Sequence, residues 1–360
     1  MEAVVQPVIK VAAICGSLRK GSYNRGLIRS AVQLVKESAV TGIEIEYVDI
    51  TPLPLLNTDL EVNGTYPPAV EAFRQKIRDA DCYLFASPEY NYSVSGPLKN
   101  AIDWASRPSN VWADKAAAIV SAGGGFGGGR SQYHLRQVGV FLDLHFINKP
   151  EFFLNAFQPP AKFDSEGNLI DLPSKERLIE VLLSLKAFTL RLQAMELMKE
   201  EEVEMEIEYI ELSTLPMLNT DLLIGYGVFP PVVEDFRRKI LEADCFLFAS
   251  PEYNYSVTAP LKNALDWASC PPTNVWADKA AAIVSASGSL GGARGQYHLR
   301  QIGVYLDLHI INKPELFLNG YDEPAKFDSN GDLIDPEAKL KLKQLLLALR
   351  AFTLRLRNNS

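Results

Sequence analysis

The chain has 360 residues, of which 47% are hydrophobic and 22% are charged, and its formal net charge is -8. This composition is ordinary for a folded, water-soluble protein of about two domains, and it argues against a disordered, collagen-like or coiled-coil chain. The net negative charge opposes nonspecific binding to nucleic acid, because phosphates attract clustered Lys and Arg.

The sequence also gives expectations about location and metals. No apolar run approaches the roughly 18 residues that cross a bilayer, so no integral membrane span is expected. Residues 1–7 lack the basic and apolar regions of a secretory signal. Four cysteines without a CxxC pair favour reduced, buried thiols over a disulfide framework or a metal site. We therefore expect a cytoplasmic protein that binds no metal and no nucleic acid.

Strand and helix patterns alternate along the first half of the chain. An apolar run at residues 8–15 has the length of a buried strand, and residues 24–37 have apolar residues at helical spacing. Further strands are predicted at residues 43–49, 81–86 and 116–121 with one more beyond, and further helices at 67–80, 98–106, 129–138 and 174–198. This alternation predicts a parallel sheet with helices on both faces. Ligands of such sheets bind beyond the carboxyl ends of the strands, so the loops after strands are candidate sites.

The second half of the chain repeats the first. Residues 87–106 and 250–269 differ at three of twenty positions, and residues 110–122 are identical to residues 274–286. The chain is therefore a tandem duplication whose copies are expected to share one backbone.

The repeat is incomplete at its start. The second copy becomes recognisable only at residue 205, and nothing in it resembles residues 8–24. We expect residues 1–198 to form a complete domain, and residues 199–360 to form a copy that lacks the first strand and the loop after it. This loss would leave a gap in the second sheet, or force the neighbouring strands to pair directly or to recruit another strand.

The loop at residues 16–24 lies between the first strand and the first helix. Ser17, Ser22 and Asn24 supply hydrogen-bonding groups, Arg19 supplies a charged fork, and a helix N-terminus favours an anion. These features predict a phosphate-binding loop, although neither GxxxxGK[ST] nor GxGxxG is present. The alternative is a polar turn that caps the helix through Ser22 or Asn24.

Two further loops follow predicted strands. Residues 87–98 contain two prolines, two tyrosines and Asn91, which suit a planar heterocycle, although an aromatic loop that packs on its own scaffold remains an alternative. Residues 121–130 are rich in glycine and can either cradle a ring or phosphate through backbone N–H groups or stay mobile.

The segments GSLRKGSYNRGL, SPEYNYSVSGPLKNAIDW and SAGGGFGGGRSQYHLR occur in this order. They resemble the NADPH-dependent FMN reductase family, and within it the plant NAD(P)H:quinone oxidoreductases and the related bacterial chromate and azo-dye reductases. The resemblance covers residues 6–196, and in the second copy it runs from about residue 203 to the end. It implies an α/β fold with a flavodoxin-like, doubly wound, five-stranded parallel sheet of strand order 2-1-3-4-5. The fold would be present as one complete and one incomplete copy.

The resemblance also implies a flavin site and a reaction. Matched position by position, the residues implied to bind the cofactor FMN are Gly16, Ser17, Leu18, Arg19, Ser22, Asn24, Pro88, Glu89, Tyr90, Asn91, Ser121, Gly123 and Gly124. The first six belong to the phosphate loop, the next four border the isoalloxazine ring, and the last three form a third flavin-side loop. The implied reaction is ping-pong: NAD(P)H gives a hydride to flavin N5, and a quinone is then reduced by two electrons to a hydroquinone. No side chain is nominated as catalytic, because the flavin carries the chemistry.

The second copy lacks the phosphate loop, so one FMN per chain is predicted. Family members are homodimers or homotetramers, and we expect either a homo-oligomer or an intramolecular pseudo-dimer completed by the second copy. A joined pair of neighbouring genes with a poorly folded second copy is the alternative. Rival functions are reduction of free flavin, azo dye or chromate, a non-enzymatic electron carrier like flavodoxin, and a structural or regulatory tandem protein. The sequence leaves the electron acceptor and the preference for NADH or NADPH open.

Overall fold

A computed structural model of the chain describes residues 8–193, 205–223, 227–288 and 290–357. The chain divides into two compact units, residues 1–193 and 194–360. The predicted domain boundary at 198/199 lies outside the described residues. Within the described part of the chain, no helix is both long and apolar enough to cross a membrane.

The first unit is a doubly wound α/β domain. Its strands are β1 (Ile9–Cys15), β2 (Ile43–Tyr47), β3 (Cys82–Ala86), β4 (Glu89–Tyr90), β5 (Ser93–Val94), β6 (Lys115–Gly123), β7 (Leu144–Phe146) and β8 (Phe152–Asn155). Its helices are α1 (Tyr23–Lys36), α2 (Pro68–Asp79), α3 (Gly96–Ser106), α4 (Gly129–Leu142) and α5 (Leu172–Gln193). The sheet order β2-β1-β3-β6-β7 is parallel throughout, which confirms the flavodoxin-like order 2-1-3-4-5.

The fifth position of this sheet differs from the prediction. Two short strands, β7 and β8, both pair with β6, so the sheet has six strands rather than five. Pro150 lies in the connection between them and has no N–H to donate to β6, so one continuous strand is disfavoured.

The sheet of the first unit is covered on both faces. The β3 side chains Tyr83 and Phe85 point into a core cluster with α2, α3 and α4. Helices α1 and α5 lie over the opposite face, and α1 buries Leu27, Ile28 and Ala31 there. The predicted helices are recovered with shifted ends, and the part of the last one beyond Gln193 falls outside the described residues.

The second unit repeats this layout without its beginning. Its helices are α6 (Pro231–Glu242), α7 (Ala259–Ser269), α8 (Ala293–Leu306) and α9 (Pro336–Arg357), and its strands are β9 (Cys245–Ala249), β10 (Lys279–Ser287), β11 (Leu308–Ile310) and β12 (Leu316–Asn319). Strand β10 pairs with the other three. Residues 205–210, the counterpart of β2, form no strand, and within the described ranges β9 is paired along one edge only. The predicted incomplete copy is confirmed, and no strand among the described residues takes the place of β1 in its sheet.

Candidate functional site

The three predicted loops meet at one edge of the first sheet. They follow β1, β3 and β6, which are neighbouring strands. The Gly16 amide donates to the Ala86 carbonyl at 2.9 Å, and the Ser87 amide donates to the Val120 carbonyl at 3.0 Å. Segments that are distant in sequence therefore form one continuous surface at the carboxyl ends of the strands, where ligands of such sheets bind.

Gly16 lies where the first and second loops touch. A Cβ at this position would lie 2.7 Å from Ser95 Oγ and 2.8 Å from Pro88 Cδ, closer than such atoms can approach. The Ser95 hydroxyl donates to the Gly16 carbonyl at 2.6 Å. Glycine is therefore required here for packing between the loops, and the predicted Gly16 and Pro88 are in contact range of one another.

The loop at residues 16–24 contains the predicted helix cap, whereas phosphate binding stays a prediction. Ser22 is buried and caps α1, because its Oγ accepts from the Arg25 amide at 3.4 Å. None of the described residues accepts a hydrogen bond from the backbone amides of Leu18, Arg19 or Lys20. These amides, the N-terminus of α1 and the exposed Arg19 and Lys20 side chains suit a phosphate group.

Other groups of this loop are held internally. Arg19 donates from Nη2 to the Gly21 carbonyl at 3.1 Å, which keeps its guanidinium beside the loop. Ser17 is buried, and its amide donates to Cys15 Sγ at 3.4 Å. Burial raises the pKa of the Cys15 thiol, so this cysteine stays protonated beneath the site.

Asn24 joins the first loop to the third. Its side chain is buried, its Nδ2 donates to the Ala122 carbonyl at 2.8 Å, and its Oδ1 accepts from the Ala122 amide at 3.0 Å. Both polar atoms of the amide are therefore engaged with the protein itself. Asn24 positions the loops, and contact between this side chain and a flavin stays a prediction.

The second loop is a short hairpin of β4 and β5. Asn91 and Tyr92 occupy its turn with φ values of 49° and 62°, the left-handed conformations of a tight hairpin turn. The Tyr90 side chain is 58% exposed, so its ring is open to a ligand. The hairpin thus presents a flat aromatic surface beside the phosphate loop.

Glu89 connects the second loop to the third. Its carboxylate accepts from the Arg130 amide at 3.0 Å and from Arg130 Nη1 at 3.1 Å. The Arg130 guanidinium also lies 4.1 Å from the centre of the Tyr92 ring. The sequence analysis missed Arg130, although its repetition as Arg294 in the second copy was a signal that could have found it.

Ser121 shapes the glycine-rich loop. Its hydroxyl donates to the Gly127 carbonyl at 2.6 Å and accepts from Gln132 Nε2 at 2.7 Å. Gln132 is another residue that the sequence did not predict to belong to the site. The Gly123 carbonyl accepts from the Ala156 amide at 2.9 Å, whereas a Cβ on Gly124 would meet nothing within 4 Å. Gly124 is therefore the predicted residue of this loop with open space beside it.

The second unit keeps the second and third loops. Glu252 accepts from Arg294 Nη1 at 3.4 Å, and Gln296 Nε2 donates to Ser285 Oγ at 2.8 Å, as their counterparts do in the first unit. The described residues of this unit include no loop equivalent to residues 16–24. Across the described part of the chain, no group of three His, Cys, Asp or Glu side chains is placed to hold a metal.

Comparison with known proteins places this geometry in a family. A model of the NADPH-dependent FMN reductase family matches residues 9–159 and again residues 186–323. An NAD(P)H:quinone oxidoreductase of Solanum tuberosum is 78% identical over 188 residues, which are 52% of this chain and 96% of that protein. An NAD(P)H-dependent FMN reductase of Pseudomonas aeruginosa is 49% identical over 187 residues, 51% of this chain and 97% of that protein.

Among solved structures, the flavoenzyme NAD(P)H:(acceptor) oxidoreductase of Paracoccus denitrificans is 30% identical with a TM-score of 0.44, covering 50% of this chain and 96% of that one. The family model matches both copies and, in total, more than half of the chain. The resemblance seen in the sequence is thus confirmed, and the chain belongs to the NADPH-dependent FMN reductase family.

Proposed function

We propose that the chain is an FMN-dependent NAD(P)H:quinone oxidoreductase. The observation that carries this proposal is the meeting of the three loops at one sheet edge of the first unit. It is supported by 78% identity to the Solanum tuberosum NAD(P)H:quinone oxidoreductase over 188 residues of this chain. Bound FMN would supply the redox chemistry: it would accept a hydride from NAD(P)H at N5 and pass a hydride to a quinone, which becomes a hydroquinone on taking one proton from solvent.

The residues of the first unit suit each part of FMN. The free amides of residues 18–20 and the Arg19 guanidinium would hold the phosphate. Pro88, Tyr90 and Asn91 would border the ring, with the open side of Gly124 beside it. The remaining predicted residues would act mainly by fixing these loops to one another.

The chain's part in the reaction is orientation. The Glu89–Arg130 pair and the two hydrogen bonds between Asn24 and Ala122, which we call the Asn24 clamp, hold the loops in fixed positions. NAD(P)H and the quinone would then use the same face of the ring in turn, in a ping-pong order. Backbone N–H groups near the ring would stabilise negative charge on it. We assign no catalytic side chain, since the one proton that the quinone takes up besides the hydride can come from solvent.

One FMN per chain follows from the absence of a second phosphate loop. We further propose a cytoplasmic protein, in keeping with its four free cysteines, that forms a homo-oligomer or an intramolecular pseudo-dimer. Flavin content of the purified chain tests the stoichiometry, and two FMN per chain would contradict it.

The activity is tested by steady-state oxidation of NADH and NADPH with a benzoquinone. We expect nicotinamide oxidation that requires both FMN and the quinone. Bound FMN without nicotinamide oxidation would instead identify an electron carrier.

Arg19→Ala tests the phosphate site. Loss of one charge-assisted hydrogen bond, worth about 1.5–3 kcal/mol, should weaken FMN binding roughly tenfold to a hundredfold. Lys36→Ala, at the opposite end of α1, is the matched control and should bind FMN like the unaltered chain. Equal FMN retention by both variants would show that the anion site is assigned wrongly.

A further inference from the structure

One face of the second unit is less covered than the same face of the first. Leu84 and Ala86 of β3 are fully buried, whereas their counterparts in β9 are the half-buried Leu247 and the exposed Ala249. Four more pairs are buried in the first unit and half-buried or exposed in the second: Val120 and Val284, Ala122 and Ala286, Leu178 and Leu342, Leu182 and Leu346. The loss of cover therefore extends over β9, β10 and α9.

The opposite face of the second sheet is intact. Phe246, Phe248 and Trp276 are buried in a core cluster with α6, α7 and α8. Their counterparts in the first unit occupy the equivalent cluster. The uncovered region is thus confined to the edge and the face that β1 and α1 cover in the first unit.

Among the described residues, nothing occupies the place between β9 and the segment that replaces β2, which β1 fills in the first unit. Glu208 and Lys239 form an ion pair at 2.9 Å, which repeats the Glu46–Lys76 pair between β2 and α2 at 2.7 Å. Ile210 also packs against the core cluster of the second unit. Residues 205–212 therefore keep the position of β2, while β1, which lies between β2 and β3 in the first unit, has no counterpart among the described residues. Neighbouring strands lie about 4.8 Å apart, so the opening admits a single strand.

We propose that this gap, bounded by β9 and residues 205–212, binds a strand–loop–helix segment of another polypeptide with the chemistry of residues 8–37. That chemistry is an apolar strand, a polar loop and a basic amphipathic helix. The strand would add to the free edge of β9, and the helix would cover the apolar face left open beside it. The chain's own copy of this segment is unavailable, because β1 is buried between β2 and β3.

A carboxylate at the end of β9 favours this occupant. Residues 8–37 contain six Lys and Arg residues and one acidic residue, Glu37. Two acidic side chains flank the gap and each already pairs with a cation: Glu208 with Lys239 at 2.9 Å and Asp244, through Oδ1, with Arg357 Nη2 at 2.8 Å. In the first unit, the counterpart of Asp244 is Asp81, whose carboxylate accepts from the backbone amide of Lys10 in β1 at 2.7 Å. The second unit keeps this carboxylate at the equivalent end of β9.

A second copy of the chain is disfavoured as a partner through β9 itself. A β9 strand arrives with its own sheet and helices attached, and an opening one strand wide excludes them. Register also favours a parallel strand, since β9 pairs with β10 in the same register that β3 keeps with β6.

The proposal extends to flavin. The second unit retains its second and third loops, so a bound segment carrying a loop like residues 16–24 would complete a second FMN site. This extension rests on the proposed function, whereas binding of the segment does not.

The test uses the full chain and a synthetic peptide of residues 7–37 with Cys15→Ser, so that the peptide has no thiol. Cys245 lies on β9 and is half-buried, and the half-buried Cys270, at the end of α7, is an internal reference. At saturating peptide, alkylation of Cys245 by iodoacetamide should slow about tenfold or more, with Cys270 unchanged, because the added strand blocks access to the thiol. The amides of β9 should gain protection from hydrogen exchange in parallel.

The control peptide carries Ala12→Pro in addition. The Gly16 amide donates to the Ala86 carbonyl, and the Lys10 carbonyl accepts from the Asp81 amide, so the even-numbered residues of β1 are those that bond to β3. Proline at position 12 therefore removes one amide of this ladder without changing the charge of the peptide. Equal protection of Cys245 by both peptides, or by neither, would overturn the proposal. So would β9 amides that are already protected by self-association without peptide. Binding of a second FMN equivalent in the presence of the first peptide supports the second flavin site. If the first peptide protects Cys245 but no second FMN binds, only the second flavin site is overturned.

Discussion

Replacing Asn24 by Ala should loosen the junction between the phosphate loop and the glycine-rich loop. The substitution removes both hydrogen bonds to Ala122, at 2.8 and 3.0 Å, and leaves a buried carbonyl and a buried amide without partners. Each unpaired buried group costs about 1–3 kcal/mol, and water entering the space left by the side chain offsets part of that cost. We expect the free energy that holds this junction closed to fall by about 2–4 kcal/mol.

Hydrogen exchange at the Ala122 amide measures this change directly. A loss of about 2–4 kcal/mol corresponds to exchange that is roughly 30-fold to 1,000-fold faster. Ala286 provides a baseline in the same chain, because it occupies the equivalent position and is exposed. In the Asn24→Ala variant, Ala122 should approach the exchange rate of Ala286.

Two more variants sharpen the test. Asn57→Ala removes only the exposed bond from the Asp59 amide, so the Ala122 exchange rate should not change. Asn24→Asp keeps an acceptor for the Ala122 amide but turns a carboxylate oxygen toward the Ala122 carbonyl. That contact raises the pKa of the introduced carboxyl, so the lost stability should return as the pH falls and the carboxyl becomes protonated. An unchanged Ala122 exchange rate in Asn24→Ala would refute the clamp.

Two further predictions concern the core. Burial raises the pKa of the Cys82 thiol to about 12, and Cys245 occupies the same position in the second unit with more exposure. Iodoacetamide should therefore modify Cys245 at least about tenfold faster than Cys82 in the native chain. Equal rates for the two thiols would contradict the exposure of β9. Arg74 is buried and donates to the carbonyls of Trp104, Arg107 and Ser109 at the end of α3, so Arg74→Met should destabilise the first unit by about 3 kcal/mol in denaturant unfolding followed by hydrogen exchange. Arg237→Met should destabilise the second unit in the same way. If either substitution lowered the hydrogen-exchange protection of both units, the prediction that each arginine stabilises only its own unit would be wrong.

The sequence predicted the order of elements well because that order depends on local patterns. The apolar run at residues 8–15 and the helical spacing after it are visible without knowing what they touch. Side-chain roles were harder, since the partner of Asn24 lies 98 residues away and the partners of Glu89 lie 41 residues away. The split fifth strand was missed because β7 and β8 are too short for a period to show.

The outcome of the missing strand depended on packing that sequence alone does not give. Three results were open: a gap, direct pairing of the flanking segments, or recruitment of another strand. The Glu208–Lys239 ion pair and the packing of Ile210 against the core cluster repeat contacts that β2 and the residue after it make in the first unit. Residues 205–212 therefore keep that position, and among the described residues they form no ladder with β9.

The same loss leaves the core of the second unit in place while it removes the loop for which we propose phosphate binding. In the first unit, β1 contributes only Ala12 and Ile14 to the cluster beneath α2, α3 and α4. The corresponding cluster of the second unit forms without them, around Phe246, Phe248 and Trp276, and β10 still pairs with three strands. What β1 uniquely supplies is the edge of β3, the cover that α1 provides and the loop between them. A duplication that drops this strand therefore keeps one core and removes the loop for which we propose phosphate binding, and a partner that fills the gap would restore both the strand and that loop.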